Sequence, residues 1–257
     1  MMNSQPIIDI KNVCAGQRLI NFSAQIFAGE QIHLLGANGA GKSTLLEALS
    51  GYLPVKGEVF LDGIEIQQYS ASQLTKKRSY LPQLVSQIPI LKVFQYLELF
   101  LPNMTLSADA IFERLCTDFQ LEPLLRKSLT QLSGGEWQRV RITATFLQVW
   151  DGGQFSGKYI LFDEPTNNLD IVQQAMLDKW IKNFCDCLGT VIMSGHDLSH
   201  SYKNASSIWM MKQGRLVASG KPDNVMTEKN LSNIFMSEIK LNQNTSNKVW
   251  QIINLED

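Results

Sequence analysis

"HLLGANGAGKSTLL", His33 to Leu46, is the stretch on which the fold turns. A short apolar run ends in a glycine-rich loop, and the helical spacing of Leu45, Leu46 and Leu49 starts directly behind it. Gly36, Gly41, Lys42 and Ser43 fill the pattern G-x-x-x-x-G-K-[ST]. Strand, loop and helix in that order make a phosphate site. Glycines let backbone N–H groups turn inward with no Cβ in the way. The helix N-terminus adds unpaired donors and the positive end of its dipole. The candidate site runs through Gly36, Ala37, Asn38, Gly39, Ala40, Gly41, Lys42, Ser43 and Thr44. In it, Lys42 reaches the β- and γ-phosphates, the Ser43 hydroxyl ligates magnesium, and Thr44 lies against the α-phosphate.

Working outward, "PIIDIKNV" (6–13) and "FSAQIF" (22–27) alternate as strands, and "GEQIHLLG" (29–36) leads into the loop. Behind it, "GKSTLLEALSGYL" (41–53) reads as a helix with Leu45, Leu46, Leu49 and Leu53 on one side. "GEVFLDG" (57–63) is a strand, Gln73 to Arg78 a basic helix, and "SYLPQ" (79–83) follows. Helical periodicity takes over at 90–101, 107–119 and 135–149. "KYILFDEP" (158–165) returns as a strand, "IVQQAMLDKWIKNFCDC" (171–187) as an amphipathic helix and "TVIMSGHD" (190–197) as a strand. "SIWMMKQGRLVASG" (207–220) reads as a hairpin, with "LSNIFM" (231–236) a helix before a weak strand pair. Strand–helix alternation at both ends brackets a helical block, so the expected class is an α/β core with an inserted helical subdomain.

The strand before Asp163 and Glu164 delivers both acids to a sheet tip, where α/β folds bind ligands. Asp163 would hold magnesium, and Glu164 would orient or deprotonate an attacking water. The competing reading is that these acids cap the turn-rich "DEPTNNLD", a role that suits Asp170 better than Glu164. His196, past a strand end, is either structural or a donor to a γ-phosphate. His33 reads as a packing residue inside a strand, and His200 as surface. Gln83 stands where the α/β core hands over to the helical block, placed to touch both magnesium and a moving subdomain.

Bulk properties exclude other classes. The net charge of −1 gives no broad pull on nucleic acid or anionic lipid. The most apolar stretch, "IPILKVFQYLELFL" (88–101), is interrupted by Lys92, Gln95 and Glu98, short of a membrane span. No signal pattern opens the chain, and a soluble, cytoplasmic protein is expected. Cys14, Cys116, Cys185 and Cys187 suit no disulfide framework.

The ordered motifs resemble an ABC transporter nucleotide-binding subunit over residues 7 to about 220. Gly36–Thr44 matches its phosphate loop, Gln83 its Q-loop, Leu132, Ser133, Gly134, Gly135 and Glu136 its signature. "ILFDEP" (160–165) matches its Walker B strand, Asn167, Asn168, Leu169 and Asp170 its D-loop, and His196 its H-loop. The resemblance implies a P-loop NTPase (RecA-like) core with an antiparallel β part. Residues 1–220 would form the ATPase domain, with core 1–83 and 155–220, helical subdomain 84–154 and a C-terminal extension 221–257. It implies ATP and Mg2+ as cofactors, with catalytic roles for Glu164, His196 and Gln83 and magnesium held by Ser43, Gln83 and Asp163. It implies a second copy head to tail, whose signature Ser133, Gly134 and Gly135 contact the γ-phosphate in trans. It implies two transmembrane permease subunits at the cytoplasmic face of the inner membrane, docked near Leu84 to Phe100. The other reading of that stretch is a helix buried in its own subdomain. A P-loop kinase or GTPase would lack the signature and the H-loop, and a non-transporter relative would carry two cassettes or a long coiled coil.

Within that family, "LSGGEWQRVR" (132–141) with Trp137, and the slightly long "FLQVWDGGQFSGKYILFDEP" (146–165), look like the ATP-binding subunits of vitamin B12 (cobalamin) importers, which act with a periplasmic cobalamin-binding protein. Siderophore and haem importers share the architecture. Most relatives stack adenine on an aromatic residue that aligns near Val13, where "NVCAGQRL" (12–19) has none. Weak base recognition is the corresponding expectation.

Overall fold

The computed structural model describes residues 5–83, 87–101, 106–150, 153, 155–242 and 249–254. β1 (Ile8–Ala15), β2 (Leu19–Ile26) and β3 (Gln31–Leu35) lead to α1 (Lys42–Ser50), β4 (Lys56–Leu61) and the short β5 (Ile64–Glu65). α2 (Ala71–Lys77) and β6 (Arg78–Leu81) precede α3 (Val93–Glu98), α4 (Leu106–Asp118) and α5 (Gly134–Val149). β7 (Tyr159–Asp163), α6 (Ile171–Asp186), β8 (Thr190–Ser194), α7 (Leu198–Asn204), β9 (Ser207–Lys212) and β10 (Arg215–Gly220) follow. The chain closes with α8 (Pro222–Val225), α9 (Glu228–Phe235), β11 (Glu238–Asn242) and β12 (Val249–Asn254).

The central sheet has the order β10-β9-β3-β8-β7-β6. It is parallel from β9 to β6, with β10 antiparallel at the edge. A second, antiparallel sheet runs β2-β1-β4-β5. All five residues of β7 are buried, as a parallel strand covered on both faces requires. Tyr159 and Leu161 point into a cluster with Phe22, Leu45 and Trp209, under α1 and the antiparallel sheet. Ile160 and Phe162 point the other way, into Phe146, Trp180 and Phe184 on α5 and α6. A third cluster packs Ile208 and Met210 of β9 against Leu231, Ile234 and Ile239 near the chain's end. Burying one such side chain contributes roughly 1.5–3 kcal/mol, so the apolar strands take the centre.

The structure corrects the sequence reading in places. α1 stops at Ser50, because Gly51 turns left-handed at φ 76° and its N–H bonds back to the Ala48 carbonyl. Leu53 therefore lies beyond the helix. α7 was not anticipated, and Asp197 caps it by accepting from His200 N at 2.9 Å. The helix expected over 90–101 shortens to α3. Its Val93 and Leu97 are buried, while Ile90 at 91% and Leu99 at 70% exposure face outward. The subdomain boundaries drawn at Leu84 and Gln154 fall outside the described residues, as do the residues 84–86 that open the expected docking stretch. No helix among the described residues is long and apolar enough to cross a membrane.

Candidate active site

The carboxyl ends of β3, β7 and β8 converge, and each carries part of the site. At the end of β3 the phosphate loop is packed too closely for side chains. A Cβ on Gly36 would sit 2.3 Å from the Met211 carbonyl oxygen. Gly41, the left-handed N-cap of α1 at φ 102°, would meet the Arg18 carbonyl oxygen at 2.4 Å. Lys42 folds back over the loop and donates to the Gly36 carbonyl at 2.7 Å and the Ala37 carbonyl at 3.3 Å. Burial pulls its pKa down, and the Glu164 and Asp163 carboxylates beyond the loop partly restore it.

Asp163 ends β7 and is 3% exposed. In register beside it, Ser194 of β8 donates its hydroxyl to Asp163 Oδ1 at 2.6 Å. The same Ser194 oxygen accepts from Glu164 N at 2.9 Å. Glu164 adopts φ 52°, a left-handed conformation that strains a non-glycine residue and aims its carboxylate out of the strand. Gln83 Nε2 donates to Glu164 Oε2 at 2.8 Å, and Asn167 Nδ2 donates to the same oxygen at 2.8 Å. His196 Nε2 lies 2.5 Å from Glu164 Oε1. Burial pushes the Glu164 pKa up, but the bonds from Asn167 and His196 and the charges of His196 and Lys42 outweigh it, leaving it below the usual value. Glu164 is thus an ionised, oriented proton acceptor near the phosphate loop's lysine. The structure brings Gln83, Glu164, Asn167 and His196 into contact. Asp170 does cap, accepting from Gln173 N at 2.8 Å to start α6.

The signature forms a second helix N-terminus. Ser133 caps α5 through reciprocal bonds with Glu136, at 3.3 Å to its N–H and 2.8 Å from its carboxylate. A Cβ on Gly135 would stand 2.7 Å from the Asn168 carbonyl oxygen, so the signature and the following "NNLD" loop pack backbone to backbone. Trp137 packs on Tyr96 of α3, ring centroids 5.2 Å apart.

One of these expectations changes and two residues keep theirs. His200 is not a surface residue: its side chain is 18% exposed and bonds Asp178 of α6 at 2.9 Å. His33 is indeed buried, between Gln31 Nε2 at 3.0 Å and Ser201 Oγ at 3.1 Å, with its pKa pushed down to about 3 by burial and by the charge of His200. Val13 is fully buried and cannot face a base; the register shift between Ile10 and Val13 in β1 turns it into the core. Sequence reasoning missed Ser194, whose hydroxyl joins the two acids, and the buried Gln138 and Arg141 of α5. Only polar residues at inward helix or strand positions could have marked them.

The description "ABC transporter" of a known family model matches residues 19–167. The vitamin B12 import ATP-binding protein of Photorhabdus laumondii is 47% identical over 246 residues, 96% of this chain and 97% of that protein. The chain belongs to the ABC transporter family. The protein of the same name from Yersinia pseudotuberculosis is 41% identical over 95% of this chain and 97% of its own length. Among solved structures, a dimeric bacterial ABC transporter cassette superposes with a TM-score of 0.71 at 25% identity, covering 84% of this chain and 98% of that one. An inward-facing metal-chelate-type ABC transporter shares the fold, with a TM-score of 0.74 at 20% identity over 98% of both chains. As a member of this family the chain is an ATP-binding ATPase.

Proposed function

We propose that this chain is the ATP-hydrolysing subunit of an importer of vitamin B12 (cobalamin). The whole-length likeness to B12 import ATP-binding proteins carries the substrate, since nothing in this subunit's chemistry touches cargo. The Glu164 cluster beside Lys42 supports the reaction.

The loop from Gly36 to Thr44 binds the triphosphate through backbone N–H groups and the α1 N-terminus, and Lys42 exchanges its carbonyl partners for the β- and γ-phosphate oxygens. The donor set of Ser43, Asp163 and Gln83 is all hard oxygen, with one buried carboxylate, which suits magnesium completed by phosphate and water. When bound, the ion neutralises charge on the β- and γ-phosphates. Ser194 donates to Asp163 Oδ1 and so orients the carboxylate that would hold that ion. Glu164 accepts a proton from the attacking water as its oxygen bonds to the γ-phosphorus. The bond to the β–γ bridging oxygen breaks, and ADP leaves with that electron pair. His196 orients Glu164 and donates toward the γ-phosphate.

Head-to-tail pairing of two copies brings the α5 N-terminus at Ser133, Gly134 and Gly135 onto the γ-phosphate held by the other copy. The D-loop residues Asn167, Asn168, Leu169 and Asp170 then line the joint between the two sites. Residues 1–220 form the ATPase domain and 221–257 an extension, of which Val225, Leu231, Ile234 and Ile239 pack on Ile208 and Met210 of β9. The pair sits on the cytoplasmic face of the inner membrane beneath two permease subunits, which a periplasmic cobalamin-binding protein loads. The outward Ile88, Ile90 and Leu99 support the permease contact.

The test reconstitutes the chain with its permease and measures phosphate release with cobalamin-loaded binding protein. Stimulation by cobalamin is expected. Stimulation by a siderophore- or haem-loaded protein instead would keep the ATPase and discard the vitamin.

A further inference from the structure

Two buried polar side chains on α5 have no part in the chemistry above. Gln138 is 5% exposed and Arg141 is 7% exposed, one helical turn apart on the same face. Gln138 Nε2 donates to the Pro165 carbonyl at 2.8 Å. Arg141 Nη1 donates to Gln138 Oε1 at 3.0 Å, and Arg141 Nη2 donates to the Pro82 carbonyl. The partners dictate the amide's orientation: a carbonyl can only accept and a guanidinium can only donate. Arg141 makes no ion pair among the described residues, and the oxygens it donates to, on Gln138 and Pro82, are neutral. A buried cation without a counter-charge is costly, and that distinguishes Arg141 from an ordinary packing residue.

The two ends of this chain of bonds are the informative part. Pro82 is the residue before Gln83, and Pro165 is the residue after Glu164. Proline fixes its own φ, so gripping a proline carbonyl holds the local backbone firmly. Gln83 and Glu164 must meet at 2.8 Å although they lie 81 residues apart. Glu164 also holds a strained φ of 52°, which persists only where its neighbours over-determine it. Ser194 holds the amide on one side of Glu164, and the bond from Gln138 to Pro165 holds the other. We propose that Gln138 and Arg141 are positioning residues that lock Gln83 against Glu164 by gripping the proline carbonyl beside each. The lock rests on the ATPase reading of the site. It also ties the catalytic pair to the helix that opens with the signature, so a shift of α5 moves both loops together.

The experiment compares the full chain with Gln138→Leu, Arg141→Met and the double variant. ATP affinity is measured by equilibrium binding, turnover by phosphate release, and folding by thermal melting. Each single change is expected to lower kcat roughly tenfold, the scale of a sub-ångström loss of alignment, with ATP affinity within about twofold of wild type. The double variant is expected to be no worse than the poorer single, because one break already opens the lock. Full turnover in Gln138→Leu would overturn the proposal, as would ATP affinity falling in step with kcat or losses that multiply in the double variant. If Arg141→Met does not fold, Gln138→Leu alone decides. A wild-type chain without ATP turnover would remove the ATPase reading itself, an outcome separate from active variants beside an active wild type.

Discussion

The phosphate loop and the Glu164 cluster share one cleft but are built in opposite ways. The loop is a single run, Gly36 to Thr44, and it works mainly through backbone N–H groups. Its shape follows from where glycine stands, as the 2.4 Å approach of the Arg18 carbonyl to a Cβ on Gly41 shows. The Glu164 cluster is made of side chains that start 81, 32 and 3 residues away. Gln83 and His196 arrive from loops far from Glu164 in the chain, Asn167 from its own loop, and the cluster exists only while β6, β7 and β8 are packed. A local backbone site tolerates change elsewhere in the molecule, whereas a convergent side-chain site inherits every error in packing.

That contrast can be broken most sharply at Glu164. Glu164→Gln is expected to cut phosphate release by about a hundredfold or more, because a carboxamide cannot take the proton, while ATP affinity stays near wild type. Equal loss of binding would mean that Glu164 belongs to the phosphate site. Lys42→Ala addresses the other region. Removing one charged donor is expected to weaken ATP roughly 10–100-fold in equilibrium binding. An unchanged affinity would show that the backbone donors suffice alone. Gly135→Ala probes the joint between signature and D-loop, where the new methyl meets the Asn168 carbonyl oxygen at 2.7 Å. A loss of about 1–3 kcal/mol in urea unfolding is expected from the overpacking, with a severalfold fall in turnover. Turnover at the wild-type rate would separate the two loops functionally.

The smallest effect sharpens the comparison by leaving both regions alone. Donating to the Asp178 carboxylate raises the His200 pKa above its ordinary 6.5, partly opposed by burial. Its stabilisation is therefore fully present below pH 6.5 and is lost as pH rises through the folded value. Asp178→Asn is expected to cost about 1 kcal/mol or less at pH 6 and less at pH 9, measured by urea unfolding at both. Equal losses would make the pair a neutral hydrogen bond. His33 acts oppositely: burial pushes its pKa down to about 3, so it destabilises the fold as pH falls below 6.5.

The parts that were legible in the sequence are those whose chemistry sits in adjacent residues. The phosphate loop, the Asp163–Glu164 pair and His196 past a strand end all carry their meaning locally. Ser194 did not, because a serine ending "TVIMS" reads as any strand terminus until β8 aligns with β7 and sets it beside Asp163. Gln138 and Arg141 carry no signal of their own in the helical stretch 135–149, and only the packing of α5 on every side shows that they are buried. His200 was misplaced for the same reason: polarity does not reveal the packing of α7 on α6.

By itself, then, the sequence determined the strands and helices that flank the site, the phosphate loop and the identity of the carboxylates. Each depends on side-chain period or on backbone freedom at a few consecutive residues, and such interactions are decided within one turn or one strand. Tertiary structure alone decided which groups meet. The 2.8 Å contact of Gln83 with Glu164, the proline grip of Gln138 and Arg141, and the seat of Asn168 on Gly135 all join segments far apart in the chain. Their geometry comes from the close packing of apolar faces, which no local pattern contains.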